Sequence, residues 1–161
     1  MPESGHRLRP ARREESDALG ALCVRSKAHW GYDAAFMAAC APFLVVPPEA
    51  IARGDVQVAV DADDRPLAFA QLSPRVGDAI ELDKLFVEPG LIRAGLGVLL
   101  LRWAMDTARQ RGARRLAIVA DPDAAAFYEK AGARFLHHVA SDAMAGRQLP
   151  FYEIALREMS S

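Results

Sequence analysis

Two glycines one residue apart, Gly95 and Gly97, stand at the start of a helical pattern. The first amides of a helix have no carbonyl partners within it, and the helix dipole makes this end positive. Glycine lets an anion approach such amides closely, so the stretch could hold a phosphate or pyrophosphate. It is not a Walker loop, and Leu100 stands where a dinucleotide fingerprint requires a third glycine. The alternative interpretation is a tight turn that only lets a helix begin beside a strand.

Two carboxylates, Glu81 and Asp83, lie two residues apart in the predicted strand Ala79–Val87. Residues at this spacing share one face of a strand. Paired carboxylates could accept a proton from a substrate. A solvated or substrate-binding pair of acids is the alternative interpretation.

The elements that must position these residues follow from hydrophobic periodicity and turn signals. Strands are predicted at His6–Pro10, Val56–Val60, Leu67–Leu72, Ala79–Val87, Leu116–Ala120, Arg134–Ala140 and Leu149–Leu156. Helices are predicted at Glu14–Trp30, Asp33–Ala41, Gly95–Arg111 and Ala124–Ala131, with loops at Pro42–Pro48 and Asp61–Pro66. This order predicts an α/β fold with a mixed sheet and helices on its faces.

Two of these helices have predicted buried faces. The first carries Ala18, Leu19, Leu22, Cys23 and Ser26 at helical spacing. The helix Gly95–Arg111 is expected to bury Leu96, Leu99, Leu100, Trp103 and Thr107, and Gly112 supplies a left-handed stop after it.

Composition narrows the class of protein. With 161 residues, the chain is expected to form one domain over residues 1–161. A formal net charge of −1 argues against nucleic-acid binding, and no run is apolar and long enough for a membrane span. Cys23 and Cys40 are expected to be buried reduced thiols, which predicts a cytoplasmic protein. His6, His137 and His138 form no ligand pattern with the cysteines, so no metal site is expected.

A second constellation, Asp121-Pro-Asp-Ala-Ala-Ala-Phe-Tyr-Glu-Lys-Ala-Gly-Ala133, follows the glycine pair. In order and spacing, the strand, Gly-x-Gly helix, strand and Phe-Tyr helix resemble the GNAT superfamily of acyl-CoA-dependent N-acetyltransferases, most sharply from Glu81 to Phe135. The resemblance implies a single-domain fold whose mixed, mostly antiparallel central sheet is flanked by helices and has splayed central strands. It also implies acetyl-CoA (coenzyme A) as co-substrate, without a metal.

The resemblance assigns coenzyme-binding residues to several positions. Arg93, Ala94, Gly95, Leu96 and Gly97 match the stretch whose amides hold the pyrophosphate, with Ile92 in place of the usual Gln or Arg. The strand residues Leu85, Phe86 and Val87 match the segment whose main chain pairs with the pantetheine arm.

Two further coenzyme contacts are implied, each with a structural alternative. Asp121 stands where many members carry an Asn that contacts pantetheine, and it could equally cap the following helix. Lys130 could meet a coenzyme phosphate, although a lysine on a surface helix is commonly only solvated.

The same resemblance implies two catalytic residues. Tyr128 matches the general acid that protonates the departing thiolate, and a tyrosine with a reference pKa of about 10 carries its proton at neutral pH. Its alternative is a core aromatic whose hydroxyl is tied to a backbone group. An amine with a pKa of about 10.4 costs about 4 kcal/mol to deprotonate at pH 7, so a base is useful. Glu81 lies at the offset of the base carboxylate in the histone-acetylating branch.

The resemblance places the acceptor beside His29, Trp30 and Tyr32, with Asp83 as a further contact. On the other side, Arg147 could hold a carboxylate of the substrate. His29 is a second candidate base, and the alternative for Trp30 is an aromatic plug of the core.

The predicted function is an N-acetyltransferase that moves an acetyl group to a primary amine of a small molecule or protein. Direct attack is favoured because neither cysteine lies near the motifs. The alternative is a non-catalytic acyl-CoA-binding sensor or partner-recognition module. Dimers are frequent in the family, so a homodimer is compatible with the resemblance.

Overall fold

The computed structural model describes residues 6–92 and 94–157. Its strands are β1 Arg7–Pro10, β2 Val56–Val60, β3 Pro66–Leu72, β4 Ala79–Val87, β5 Arg115–Val119, β6 Arg134–Ala140 and β7 Gln148–Ala155. Its α-helices are α1 Ser16–Ala28, α2 Ala34–Cys40, α3 Pro48–Ala52, α4 Leu96–Gln110 and α5 Ala125–Lys130. The strands form a mixed, mostly antiparallel sheet in the order β1-β2-β3-β4-β5-β7-β6. The predicted α/β class and sheet type are therefore confirmed.

The chain divides into two compact units. The first comprises Met1–Gln71 and Lys84–Leu101, and the second comprises Leu72–Asp83 and Arg102–Ser161. Both β4 and α4 contribute residues to each unit. The expectation of one domain stays a prediction.

The first unit contains the antiparallel strands β1, β2 and β3. Val60 of β2 pairs with Arg7 of β1, and Val58 pairs with Phe69 of β3. The side chains of Val58 and Phe69 are fully buried. The predicted hairpin between β2 and β3 is confirmed, and its turn places Asp64 at φ 66°, in the left-handed region.

The helices of the first unit agree with the predictions in part. Leu19, Leu22, Cys23 and Ser26 of α1 are buried, but Ala18 is exposed, so one member of the predicted face is wrong. Cys23 and Cys40 are buried thiols and not halves of a disulfide. The short helix α3 was not predicted. Pro48 lies in its first turn, where a missing N–H costs nothing, and prolines there had indicated a loop.

The second unit contains the part of the sheet that is built around β7. The strand β7 lies between β5 and β6 and is antiparallel to both, with Tyr152 opposite Ile118 on one side and Phe135 on the other. The start of β4 runs parallel to β5, with Ala79–Glu81 opposite Arg115–Ala117. The predicted splay of the central strands stays a prediction.

The helix α4 buries only part of the predicted stripe: Leu96 and Leu100 are buried as expected. Leu101 and two small residues, Ala104 and Ala108, are buried with them, and Leu96, Leu100, Ala104 and Ala108 recur four residues apart. Leu99 is 41% exposed, and Trp103 and Thr107 are only partly buried. The prediction was wrong for Leu99, Trp103 and Thr107 because it gave weight to the larger side chains, whereas small alanines also let a helix pack closely.

The C-terminus of α4 is the predicted left-handed stop. Gly112 has φ 87°, its N–H donates to the Arg109 carbonyl, and the Ala113 N–H donates to the Ala108 carbonyl, both at 3.0 Å. This pair of bonds is the Schellman motif, which satisfies the last carbonyls of a helix. None of the helices in the described ranges is long and apolar enough to cross a membrane.

Candidate functional site

The start of α4 combines a left-handed backbone position with open space. Gly95 has φ 84°, and its carbonyl accepts the Leu99 N–H at 3.2 Å, which makes it the residue that opens the helix. A Cβ added at Gly95 would meet no heavy atom within 4 Å. Leu96 is fully buried and anchors the turn from below. A helix start with room above its glycine fits an anionic group.

The neighbours of Gly95 complete this stretch. Ala94 is exposed, and its N–H already donates to the Leu91 carbonyl at 3.0 Å, whereas Gly97 is buried in the first turn of α4. Arg93, predicted to contact the coenzyme, lies outside the described residues. Ile92 is 36% exposed and offers no polar group to an anion.

The end of β4 carries the three residues predicted to present main chain to the pantetheine arm. Leu85, Phe86 and Val87 are half-buried, and the Phe86 ring lies 6.1 Å from the ring of Phe69. Just beyond them, the Glu88 N–H donates to the Leu67 carbonyl at 2.8 Å, which ties the strand end to β3.

A pocket of about 360 Å³ lies beside the approach to α4. It is lined by His29, Trp30, Pro89, Gly90 and Ile92. The indole of Trp30 is 46% exposed, so the alternative of a core plug is wrong. Two of the predicted acceptor residues, His29 and Trp30, thus face the same space. Their rings contact each other edge to face at 5.2 Å.

Tyr32, the third predicted aromatic, makes other contacts. Its ring stacks on Phe36 with centroids 4.1 Å apart, and the Lys27 ammonium lies 5.3 Å from the Tyr32 centroid. A cation above a tyrosine face is an attractive arrangement. Tyr32 is not among the residues that line the described pocket.

An ion pair missed by the sequence analysis links the two segments of the chain that line this pocket. Arg25 of α1 donates through Nε and Nη2 to the two carboxylate oxygens of Glu88, both at 2.8 Å. The Arg25 guanidinium lowers the pKa of the Glu88 carboxyl. The pair joins the end of α1, next to His29, to the residue before Pro89. Their separation of 63 residues left no local signal.

The second unit holds the two predicted carboxylates together with a third. Glu81 and Asp83 are both exposed on β4 and alternate with the buried Ile80 and Leu82, so they share one face of the strand, as their spacing predicted. Partial desolvation, and after it the carboxylates of Asp83 and Asp142, raise the pKa of Glu81 above its ordinary value. The sequence analysis missed Asp142, which lies 61 residues further along the chain. A carboxylate with a raised pKa is a better proton acceptor once it is ionised.

Tyr128 lies on α5 and is 6% exposed. Burial raises the pKa of its hydroxyl well above the ordinary value, so the group carries its proton at neutral pH. Its ring meets Phe127 edge to face at 5.1 Å. The buried ring also fits the core-aromatic alternative, so the catalytic role of Tyr128 stays a prediction.

Asp121 and Arg147 approach each other in the second unit. The Asp121 carboxylate accepts the Asp123 N–H at 3.0 Å and so caps the 3-10 turn Pro122–Ala124 that leads into α5. Arg147 Nη2 lies 3.7 Å from the other carboxylate oxygen of Asp121. The capping alternative for Asp121 is thus observed, and Arg147 lies against a carboxylate of the chain itself. Lys130 is exposed at the end of α5.

A contact between α5 and β7 was also missed. The Tyr152 hydroxyl donates to Glu129 Oε2 at 2.5 Å, from a ring that is 2% exposed. In the sequence, a tyrosine at the centre of a strand predicts only a buried core residue. No local pattern connects Tyr152 to a helix 23 residues earlier. As for metals, the described ranges hold no group of three or more His, Cys, Asp or Glu placed to bind an ion.

Comparison with known sequences defines the class. Residues 21–133 match the model of the acetyltransferase (GNAT) family, which is well over half of the chain. The chain therefore belongs to the acetyltransferase (GNAT) family, a family of acyltransferases. No curated protein sequence matches it.

Solved structures with the same fold include named N-acetyltransferases. A PaiA N-acetyltransferase from Thermoplasma acidophilum, in complex with coenzyme A, superposes with a TM-score of 0.75 at 17% identity, covering 93% of this chain and 98% of that one. YncA from Salmonella typhimurium, a putative acetyltransferase with its cofactor acetyl-CoA, gives 0.68 at 19%, covering 98% of both chains. The ribosomal-protein-S18-alanine N-acetyltransferase from Escherichia coli gives 0.67 at 16%, covering 97% and 96%. At these identities the likeness establishes the fold.

Proposed function

We propose that this protein is an N-acetyltransferase that transfers an acetyl group from acetyl-CoA to a primary amine of a small molecule or protein. The observation that carries the proposal is Gly95, which opens α4 in a left-handed conformation with free space above it, inside the span that matches the family. Structures of the same fold contain coenzyme A and acetyl-CoA, which supports the choice of co-substrate.

The start of α4 is the proposed holder of the coenzyme pyrophosphate. Gly95 provides close approach, and the positive end of the α4 dipole favours the anion. Main-chain groups of Leu85, Phe86 and Val87 are the proposed partners of the pantetheine arm. Because Ile92 replaces a polar side chain, we expect backbone groups to provide most of the contacts.

Two side chains of the second unit are the proposed proton carriers. Acetyl-CoA, when bound, supplies the acetyl thioester and the leaving thiolate. Glu81 takes the proton that the acceptor amine loses as its nitrogen bonds to the acetyl carbon, directly or through water. Tyr128 gives its proton to the sulfur as the carbon–sulfur bond breaks. The raised pKa of Tyr128 keeps it protonated until then, and the raised pKa of Glu81 strengthens it as a base.

The pocket beside His29 and Trp30 is the proposed wall for the acceptor. An exposed indole and an imidazole offer stacking and hydrogen-bonding contacts to an amine-bearing molecule. The ion pair between Arg25 and Glu88, which links the segments leading to His29 and to Pro89, is the proposed support of this pocket.

Calorimetric titration with acetyl-CoA and with desulfo-CoA tests the binding half of the proposal. We expect micromolar binding that Gly95→Glu abolishes, because the new carboxylate fills and repels the anion site. Gly54→Glu is the matched control, since Gly54 is also left-handed, with φ 80° and open space, at the end of α3. Loss of binding in both variants, or in neither, would contradict the assignment to the α4 start.

Release of the coenzyme thiol across a panel of primary amines tests the catalytic half. We expect turnover with at least one amine and a fall of about 100-fold in kcat for Tyr128→Phe, the scale typical of a general acid. Tight binding without turnover, and no effect of Tyr128→Phe, would identify the chain instead as a non-catalytic acyl-CoA sensor.

A further inference from the structure

We infer that the hydrogen bond from Tyr152 to Glu129 holds α5 in the orientation that aims Tyr128 for proton donation. Tyr152 and Glu129 are then positioning residues, because they act through Tyr128. The inference rests on the proposed role of Tyr128 as general acid.

The anchor of this contact is rigid. Tyr152 is 2% exposed and lies on β7, which has a hydrogen-bonded strand on each side. Its ring packs edge to face against Phe135 of β6, with centroids 5.8 Å apart. A side chain held by a central strand and a neighbouring ring has little freedom to follow a moving helix. Glu129, exposed on α5, is therefore tied to a fixed point.

The helix that carries Tyr128 needs such a tie. It has only six residues, Ala125–Lys130, and a helix of this length has little stability of its own in water. Its C-terminus is closed by the Gly132 N–H donating to the Glu129 carbonyl at 3.1 Å and the Ala133 N–H donating to the Tyr128 carbonyl at 3.0 Å. These bonds stop the helix but do not fix its rotation about its own axis.

A bond from a side chain to a strand restrains that rotation. Tyr128 and Glu129 are consecutive, so their side chains are separated by about 100° around the helix axis. Fixing the Glu129 carboxylate at 2.5 Å from the Tyr152 hydroxyl therefore also fixes the direction of the Tyr128 ring. The Tyr128 ring packs edge to face against Phe127 of the same helix, so its aim depends on the orientation of α5.

We expect the hydrogen bond from Tyr152 to Glu129 to persist over the pH range in which activity would be measured. Glu129 raises the pKa of Tyr152 to about 12, so the phenol stays protonated and can donate at neutral and mildly alkaline pH. A displacement of about 1 Å in a catalytic group can cost on the order of 100-fold in rate. Partial release of α5 is expected to cost less, because the Tyr128 ring itself is buried.

The test compares variants that remove the bond from either side. We expect Tyr152→Phe and Glu129→Ala each to lower kcat about tenfold, with the KM for acetyl-CoA changed less than twofold. The double variant should lose no more than either single one, because one bond is removed in all three. Glu129→Gln should restore most of kcat, since its amide oxygen can still accept the Tyr152 hydroxyl. Glu129 is exposed, so its variants should fold even if Tyr152→Phe does not.

Glu153→Gln is the matched control. Glu153 is the next residue on β7, and its carboxylate accepts from Arg115 Nη1 at 2.6 Å instead of from α5. We expect wild-type kcat for this variant. Amide hydrogen exchange gives a readout without substrate: α5 should exchange faster in Glu129→Ala and at the wild-type rate in Glu153→Gln.

Two results would overturn the inference in distinguishable ways. Wild-type kcat in Glu129→Ala, beside a large loss in Tyr128→Phe, would leave the general acid in place and remove the positioning role. Wild-type kcat in Tyr128→Phe as well would remove the acid itself, and the proposed mechanism with it.

Discussion

The surroundings of Glu81 have opposite effects on its proposed role as a base and on the stability of the fold. Its neighbours Asp83 and Asp142 and its partial desolvation raise its pKa, so the folded protein holds the Glu81 proton more tightly than the unfolded chain does. Stability from this group is present at low pH and is lost as pH rises through the range between the unfolded and the folded pKa. At neutral pH, the ionised Glu81 therefore slightly lowers the stability of the fold. Such a cost is expected at a residue that serves as a catalytic base.

We therefore predict opposite effects of Glu81→Gln on rate and on stability. The variant should lose about 100-fold or more in kcat/KM, as expected when a general base is removed. Its melting temperature at pH 7 should be equal to that of the wild type or higher. Rates across pH 6 to 9 and thermal denaturation at pH 7 measure the two effects. A lower melting temperature with unchanged kcat/KM would show that Glu81 is structural.

Asp83→Asn is the companion experiment, because it keeps Glu81 and removes one of the two carboxylates that raise its pKa. We expect the acidic limb of the pH–rate profile to move to lower pH, with a smaller loss of the plateau rate than in Glu81→Gln. A limb that stays in place would mean that Asp83 does not act on the group that titrates in the profile.

At the residue scale, sequence reasoning works where one residue type carries the signal. Gly95 was singled out because glycine lets an anion approach a helix start closely, and the structure adds a positive φ that glycine adopts without strain. Asp142, Arg25 and Tyr152 were missed for one shared reason. Each matters through a partner far away in the chain, and no spacing rule connects the members of such a pair.

The β2–β3 hairpin shows how charge stabilises an element. Asp64, in the left-handed region of its turn, faces three arginines: Arg7 at 2.8 Å, Arg9 at 2.9 Å and Arg12 at 2.7 Å. Hydrogen bonds from Arg9 and Arg12 lower the pKa of Asp64 to about 2. The turn thereby fastens the outer strand β1 and the chain that follows it.

We predict that Asp64→Asn lowers the melting temperature at pH 7. Asparagine also tolerates the left-handed region, so the substitution isolates the charge from the backbone. A carboxyl with a lowered pKa stabilises the fold above its unfolded pKa, and this contribution is lost as pH falls. The difference from the wild type should therefore shrink between about pH 4 and pH 2. Thermal denaturation at several pH values measures it.

Asp63→Asn is the control on the same turn, because among the described residues the Asp63 carboxylate meets the exposed Arg65 alone, at 3.4 Å. Exposed pairs of this kind contribute little. An equal loss in both variants would mean that general charge, and not the arginine cluster, stabilises the hairpin.

Helices and strands were predictable where the hydrophobic pattern and the turn signals determine their bounds. The bounds of β2, β4 and β6 agree with the sequence analysis to the residue, since alternating or continuous apolar runs between turn signals define strands. The prediction of helices and of their buried faces was less accurate where the hydrophobic pattern carries little information. The helix α3 is too short to show a period, and the buried stripe of α4 depends on alanines that a hydrophobic pattern undervalues.

At the scale of the whole molecule, coenzyme binding and unfolding should be linked. A ligand that binds only the folded state stabilises it by about 2.7 kcal/mol at 100 times its Kd. For a protein of this size, about 1 kcal/mol raises the melting temperature by about 2 to 4 °C. Coenzyme A at this excess should therefore raise the melting temperature by roughly 5 to 10 °C. Gly95→Glu should show no such rise, and Tyr128→Phe should show the same rise in melting temperature as the wild type.

The two compact units should nevertheless unfold together. Both β4 and α4 run from one unit into the other without a break, so neither unit can lose these elements while the other keeps its full complement. Scanning calorimetry should therefore show one transition whose calorimetric and van't Hoff enthalpies agree. Coenzyme A should move this transition as a whole. Two transitions, of which only one moves with the coenzyme, would show instead that the units are independent and that the coenzyme site belongs to one of them.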